Sequence, residues 1–545
     1  MRLDYKWQAA LVVAVGLFMA ILDNTIVNVA LPRMQTFFNT DRTTIEWVVT
    51  AYFLAQAAVI PVTGYLSDRI GTKTVFLSAL ALFTVGSALC ALAPSKELLI
   101  AFRVLQGVGG GALFPLAFAI IFRVFPPAER GPASAVIGVP VLLAPAFGPT
   151  IGGYLTTTFD WNAIFIVNVP IGIATLVAGF IILRGRAADR AANGEQALAR
   201  QRFDVVGLVL AVVGFTALVY GITEAATHGW NDTPFATYHI AGLVIQATVV
   251  RYLLVGGVLL VAFVINELLV SDPVMDVRLF ANYTFTVSNL LLWSLSAFLF
   301  GSLLLLPFFF ESIRGQTALS TGEIVISQGL AAAVVTPIAG GLYNRVGPRI
   351  MAVLGFALLA AGTYGLTMFN VNTTGLSLQG WLVVRGMGLG LTNIPLQTLV
   401  LSAVSNRAMA RASSLVNVTR QVAGAVGISA LNTYLTQQAA NHGPAVSAAF
   451  QAGPLATAKA ACLARLGPTN LPAVTSCVQG AARAYVGPHA FVMGLNDTFV
   501  VVTIATAVCA VLAIFVGRDP AVEAAKRAAA RGEAVPAERP AIVAE

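Results

Sequence analysis

Long apolar blocks dominate the chain, and the charges collect in the stretches between them. A block of about twenty apolar residues, wound as a helix, matches the hydrocarbon thickness of a bilayer. Fourteen such blocks are read: residues 9–31, 46–66, 75–93, 98–121, 134–156, 161–183, 205–224, 251–270, 284–308, 321–343, 350–369, 380–403, 411–435 and 493–516. Residues 239–250, ahead of the eighth block, are also apolar and either extend that helix or form a surface hairpin. The pattern predicts an all-α membrane protein.

The first block breaks its own pattern. LVVAVGLFMAILDNTIVNVALP, residues 11–32, holds Asp23, with Asn24 beside it and Asn28 one turn on. A carboxylate at mid-bilayer costs roughly 2.5–3.5 kcal/mol on insertion scales. It therefore belongs against a bundle interior or a watery path, and Asn24 and Asn28 are read with it as lining a polar cavity. Arg103 in RVLQGVGGG and Arg420 in NVTRQVAGAVG lie inside the fourth and thirteenth blocks. A guanidinium keeps its proton, so each needs a partner or water. Asp23 is the partner expected for Arg103; Arg420 is assigned to the cavity. Glu311 and Glu323 flank the outer ends of the ninth and tenth blocks. There they either attract cationic substrates or stand as solvated carboxylates.

Composition agrees with the pattern. Of 545 residues, 57% are hydrophobic and only 10% charged, against about 25% charged in soluble domains. The net charge of +8 reads as membrane topology, with no nucleic-acid partner. Of the 32 Lys and Arg, 21 fall on the side of the N-terminus, 8 on the other side, and Arg103, Arg385 and Arg420 inside blocks. The positive-inside rule then places both termini in the cytoplasm of a multi-pass protein of the cell (inner) membrane. No cleavable signal peptide is evident. The four histidines fall in expected outer loops, and no Cys cluster, nucleotide-binding loop or hydrolase elbow occurs. No metal, cofactor or enzymatic step is expected.

The chain repeats itself. GYLSDRIGTK, residues 64–73, is echoed by GGLYNRVGPR, residues 340–349, with Gly64, Arg69, Gly71 and Lys73 matching Gly340, Arg345, Gly347 and Arg349. Gln106, Gly107, Gly109 and Gly111 fall on Arg385, Gly386, Gly388 and Gly390. Parallel halves of this kind are a transporter architecture. The expected organisation is an N-terminal six-helix bundle, 1–186; a linker with inserted helices seven and eight, 187–278; a C-terminal six-helix bundle, 279–518, with an outer loop at 437–492; and a cytoplasmic tail, 519–545, read as a frayed helix.

The segment 64–73 resembles the cytoplasmic signature of the major facilitator superfamily. Gly64 lets helices approach, Asp68 caps a helix or pairs across the loop, and Arg69, Gly71 and Lys73 complete a topology anchor or conformational latch. GVPVLLAPAFGPTIGG, residues 138–153, resembles the antiporter motif of that superfamily's exporters. Its Gly138, Gly148, Gly152 and Gly153 suit close helix packing, and Pro145 and Pro149 suit a kink. LDNTIVNVALP, residues 22–32, is similar to the first-helix motif of the fourteen-helix drug–proton antiporters of the EmrB/QacA type. That resemblance implies two six-helix bundles plus an inserted pair. It also implies proton coupling through Asp23 and Arg103, with protons as coupling ion and no other cofactor. The function implied is efflux of small hydrophobic, often cationic drugs by alternating access. A periplasmic adaptor stays open as a partner beside the lipid bilayer. Two other readings stay open: an exporter dedicated to a lipid, siderophore or other metabolite, and a non-transporting sensor or scaffold.

Residues 437–492 make an unusually long connection. Two Ala-rich stretches, separated by Gly467, Pro468 and Thr469, each read as a short amphipathic helix. Cys462 and Cys477 lie on these, on the outer side where disulfides persist. A Cys462–Cys477 disulfide stapling a helical hairpin over the outer mouth is expected. Cys90 and Cys509 fall inside blocks and read as small buried hydrophobes.

Overall fold

The computed structural model describes residues 4–40, 42–126, 129–183, 204–228, 237–240, 243–271, 273–303, 305–405, 408–466 and 471–517. The tail 519–545, the linker residues 187–203 and the separator Gly467–Thr469 lie outside these.

Apart from one hairpin, the described chain is helical. The first half holds α1 (Tyr5–Phe37), α2 (Arg42–Ile70), α3 (Thr72–Ala91), α4 (Lys96–Val124), α5 (Arg130–Phe159) and α6 (Asn168–Ile182). A helical turn, Ala163–Ile166, leads into α6. Next come α7 (Val205–His228), the antiparallel strands β1 (Thr237–Ile240) and β2 (Leu243–Gln246), and α8 (Ala247–Leu269). Of the two sequence readings for residues 239–250, the structure shows the hairpin, followed at once by α8. The second half holds α9 (Tyr283–Leu303), α10 (Ala318–Val346), α11 (Pro348–Tyr364), α12 (Gly375–Ser402), α13 (Met409–Ala452), α14 (Pro454–Leu466) and α15 (Leu471–Leu512).

Each of the fourteen apolar blocks lies on helix, with ends that mostly differ by a few residues; the helices of the last two blocks run much further, to Ala452 and back to Leu471. Among the described residues, eleven helices are long and apolar enough to cross a membrane, or twelve when the two arms of α5 count as one span. The long helices outside that set are α12 and α13, which bury Arg385, Gln397, Asn417 and Arg420. Apolar side chains also coat the outside. On α8, Leu254, Val258, Val261 and Ile265 are exposed at helical spacing. A surface of that kind is suited to lipid tails and would aggregate in water.

Packing follows the repeat. In the first half α1 packs on α5, and α4 on α2 and α3; in the second, α12 packs on α10 and α11, and α13 on α9 and α15. Across the halves α5 packs on α10 and α2 on α13. The inserted pair, α7 and α8, packs on itself, and α7 also on α2 and α13. The matched glycines share one backbone conformation: Gly71 has φ 94° before α3 and Gly347 has φ 92° before α11. An L side chain there is strained, so both turns require glycine.

The outer loop is a correction. Residues 437–492 do not form a separate hairpin. Helix α13 runs 44 residues to Ala452, and α15 begins at Leu471 and runs 42. At 1.5 Å per residue each is about 65 Å long, roughly twice a hydrocarbon core. Falling hydropathy near residue 435 marks the end of the apolar stretch only. Ala-rich sequence remains a good helix former beyond it, and the break comes at Gly453–Pro454. The projecting pair is braced by His442–Asp497 at 2.7 Å and by Phe450 against Tyr485. A disulfide, Cys462–Cys477, ties α14 to α15. Cys90 and Cys509 are buried free thiols.

Because the bond closes a loop of 15 residues, replacing both cysteines by serine removes about 3 kcal/mol of constraint on the projecting segment in the chain-entropy model. Hydrogen exchange is expected to rise in Pro454–Leu466 and to stay unchanged in α1–α6. Exchange unchanged in Pro454–Leu466 would contradict this.

Candidate functional site

The polar centre of the first half is built around Asp23, 0% exposed on α1, and Arg103, 1% exposed on α4. Arg103 Nη1 donates to Asp23 Oδ2 at 2.6 Å and to Gln106 Oε1 at 2.8 Å. Gln106 Nε2 and Asn168 Nδ2 each donate to Asp23 Oδ1 at 2.9 Å. The carboxylate thus accepts three hydrogen bonds, two from neutral amides. Arg103 Nε donates to the backbone carbonyl of Val48 on α2 at 3.0 Å, and its guanidinium lies 3.9 Å from the centre of the Tyr52 ring. Asn168 also donates to Ser87 Oγ, and Ser87 donates to the Phe165 carbonyl.

Local sequence explains the convergence. Arg103 and Gln106 are three apart, hence on one face of α4. The glycines after them let α4 approach α2 closely: a Cβ at Gly107 would sit 2.6 Å from the Tyr52 carbonyl, and one at Gly111 2.7 Å from Gln56 Cα. That closeness brings Val48 and Tyr52 within reach of Arg103. Sequence reasoning paired Asp23 with Arg103, but missed Asn168, Ser87 and Tyr52, and read Gln106 only as a repeat position.

The remaining expected site residues scatter. Asn24 is half-buried and Asn28 exposed. Asn28 Nδ2 donates to the Asn24 carbonyl at 3.3 Å, and neither joins the Asp23 network. Glu311 lies on a π-turn, Phe309–Ile313, and Glu323 in the second turn of α10; both are exposed. Arg420 is 8% exposed and donates to Ser296 Oγ at 3.1 Å and Gln397 Oε1 at 2.8 Å. Among the described residues no hydrogen bond or ion pair joins Asn28, Glu311, Glu323 and Arg420 to one another.

Motif residues fall at helix crossings. A Cβ on Gly64 would lie 2.9 Å from Ala410 O, Arg411 Cα and Ser414 Oγ, so α2 meets the start of α13 there. Its repeat, Gly340, meets Gly131 and Ala135 at the start of α5. Arg69 donates to Tyr65, and Lys73 to the Phe180 carbonyl of its own half. The side chains of Asp68 and Pro149 lie outside the described residues. Helix α5 bends by 53° between arms Arg130–Pro145 and Thr150–Phe159. Gly138, on the first arm, abuts Ile394 and Thr336 of the second half. Gly148 and Gly152, around the bend, abut Thr25 and Ile26 of α1, two and three residues from Asp23. Gly153 has nothing nearer than Val29 at 4.0 Å, so the close packing expected of it is not used.

The charges of the pair offset one another, and removing one partner leaves the other buried alone. Asp23→Asn or Arg103→Gln singly is expected to cost about 3–5 kcal/mol of stability. The double variant, with no charge left over, is expected to recover part of that. Thermal unfolding in one detergent, followed by tryptophan fluorescence, measures it; a double variant as unstable as the sum of the singles contradicts the coupling.

Comparison with known proteins gives the family and the fold. The family model described as Major Facilitator Superfamily matches residues 13–428. The chain is 35% identical over 462 residues to a multidrug resistance protein B homolog of Mycobacterium tuberculosis (strain ATCC 25618 / H37Rv), covering 84% of this chain and 81% of that one. It is 31% identical over 426 residues to the multidrug export protein EmrB of Escherichia coli (strain K12), covering 78% and 79%. It is 30% identical over 515 residues to YhcA, a transporter of the same superfamily from Bacillus subtilis (strain 168), covering 93% and 92%. Two solved structures share the fold: the human organic anion transporter MFSD10, with TM-score 0.56 at 13% identity over 92% of this chain and all of that one, and the proton:xylose symporter XylE, with TM-score 0.53 at 12% identity over 94% and 96%.

Proposed function

The chain belongs to the major facilitator superfamily and is a multi-pass membrane transporter with multidrug-resistance relatives; on that premise we propose that it is a proton-coupled exporter of small amphipathic compounds. The observation that carries the reading is Asp23, fully buried and held by Arg103, Gln106 and Asn168. A proton on Asp23 cancels its charge and leaves Arg103 as a bare buried cation. That state is costly where the pair now sits, so protonation favours a conformation in which Arg103 is solvated or re-paired. The proton thereby selects between two arrangements of the halves. Its entry supplies about 2.3 kcal/mol per 100 mV of membrane potential.

Helix α5 is suited to transmit that choice. One arm packs on the second half through Gly138, and the other on α1 beside Asp23 through Gly148 and Gly152. With halves at residues 1–186 and 279–518 and both termini cytoplasmic, the crossings at Gly64 and Gly340 seal the cytoplasmic end. This state then faces outward, and residues 64–73 with 340–349 act as the latch. The projecting α13–α15 pair stands where an adaptor outside the membrane would meet the transporter. Export of a single lipid or metabolite remains the second reading, because the coupling pair is the same for either cargo.

In proteoliposomes, Asp23→Asn is expected to abolish drug accumulation driven by a pH gradient while substrate exchange without a gradient persists. Wild-type accumulation by that variant would reject the coupling role. Gly64→Val is expected to hold the cytoplasmic crossing apart. Labelling of Ser414→Cys by a membrane-impermeant maleimide in inside-out vesicles should then rise several-fold in that background, and an unchanged rate would leave residues 64–73 as a topology anchor.

A further inference from the structure

The interior of the spanning bundle holds more positive charge than its own side chains answer. Arg103 has Asp23. Arg385 and Arg420, 3% and 8% exposed, both lie in the second half, and among the described residues neither meets a carboxylate. Arg385 donates to Ser302 and Gln328, with its Nε left without a partner. Arg420 donates to Ser296 and Gln397. The repeat shows how this arises. At the offset that carries Gln106 onto Arg385, Asp23 falls on Ser302. The first half has a carboxylate on its first helix where the second half has a hydroxyl.

The two arginines sit differently. Arg385 is enclosed between α9, α10 and α12 of one half. Arg420 lies on the seam: its guanidinium is 5.8 Å from the centre of the Phe114 ring on α4, and Ser413, on the same helix, donates to the Pro115 carbonyl of α4. Under alternating access the seam between halves is the substrate's route. The surroundings of Arg420 hold unused polar atoms. Gln397 Nε2, buried and without a partner, is on the amide whose oxygen Arg420 already uses. One turn away on α12, Asn393 Oδ1 is also unpaired.

A guanidinium cannot shed its proton, and its planar fork matches a carboxylate. We propose that Arg420, with Gln397 and Ser296, receives the carboxylate of an amphipathic substrate whose apolar body lies along Phe114. The inference rests on the exporter reading and narrows its cargo to amphipathic anions, in place of the cations expected from Glu311 and Glu323. Those two carboxylates are exposed and unjoined, whereas the buried charge at the seam is positive.

The test compares pyrene-1-butyric acid, its neutral amide and pyrene-1-butylamine, one scaffold with three charges, binding to the full chain in phosphatidylcholine nanodiscs. The acid is expected to bind at least about tenfold tighter than the amide, and the amine most weakly. Arg420→Gln removes that preference and Arg420→Lys keeps part of it. Should Arg420→Gln fail to fold, Gln397→Glu serves instead. It puts a carboxylate where Arg420 already donates, answers the charge from within, and is expected to erase the preference for the acid. Equal or tighter binding of the amide or amine to the wild-type chain overturns the proposal, as does an undiminished preference in Gln397→Glu. Equilibrium binding needs no proton gradient, so failure here is distinguishable from failure of the antiport reading.

Discussion

A charge in lipid must be answered by another group, and this constraint organises the first half. Asp23 and Arg103 come from α1 and α4, and their remaining hydrogen-bonding capacity is met from α2, α4 and α6. Such a network forms only if the helices lie close enough for short side chains and one backbone carbonyl to reach. The glycines of α4 give that closeness. Without the small residues the pair would stand in a cavity, and without the pair the close packing would enclose no charge. The two features are one requirement seen at two levels, a local approach of backbones and a global balance of charge.

The same economy explains α5. Its bend divides the helix into an arm that meets the second half and an arm that meets α1 just beyond Asp23. Prolines loosen the ladder near the bend, and glycines on both arms keep the neighbours near. On the proposed coupling, a change in the protonation of Asp23 shifts what α1 needs around it. Because interfaces packed through glycine tolerate few intermediate spacings, that shift favours a change of arrangement over gradual deformation.

What was legible in the sequence follows from the kind of signal each feature leaves. Apolar blocks report the bilayer directly, so the spans were readable and most helix ends fall within a few residues of them. Asp23 and Arg103 were readable because a charge inside an apolar block is conspicuous. Gly71 and Gly347 were matched as repeats, and the structure supplies the reason in a shared positive φ. Asn168 and Ser87 left no such mark: single polar residues in a helix are common, and only the fold shows that these two reach one carboxylate. The stretch 437–492 was misread because hydropathy reports where a membrane ends and not where a helix ends. Its alanines carry α13 on to Ala452 regardless.

The repeat preserves backbone and alters chemistry. Gly71 and Gly347 keep one turn, and Gly64 and Gly340 keep one crossing, so the two halves are free to differ in what they bury without losing the fold. They do differ. The first half balances Arg103 with Asp23, the group to which the proposed coupling assigns the proton. Among the described residues the second half buries Arg385 and Arg420 without a carboxylate, and a guanidinium keeps its proton. A fixed charge cannot respond to a pH gradient, and a titratable pair sealed by its own hydrogen bonds is poorly placed to hold a ligand. If export is driven by protons, the division of labour follows from the residues: a neutralisable site in one half to sense the gradient, and a permanent charge at the seam to hold what is moved. Coupling then needs no contact between proton and cargo, because both bias the same choice between two arrangements of the halves.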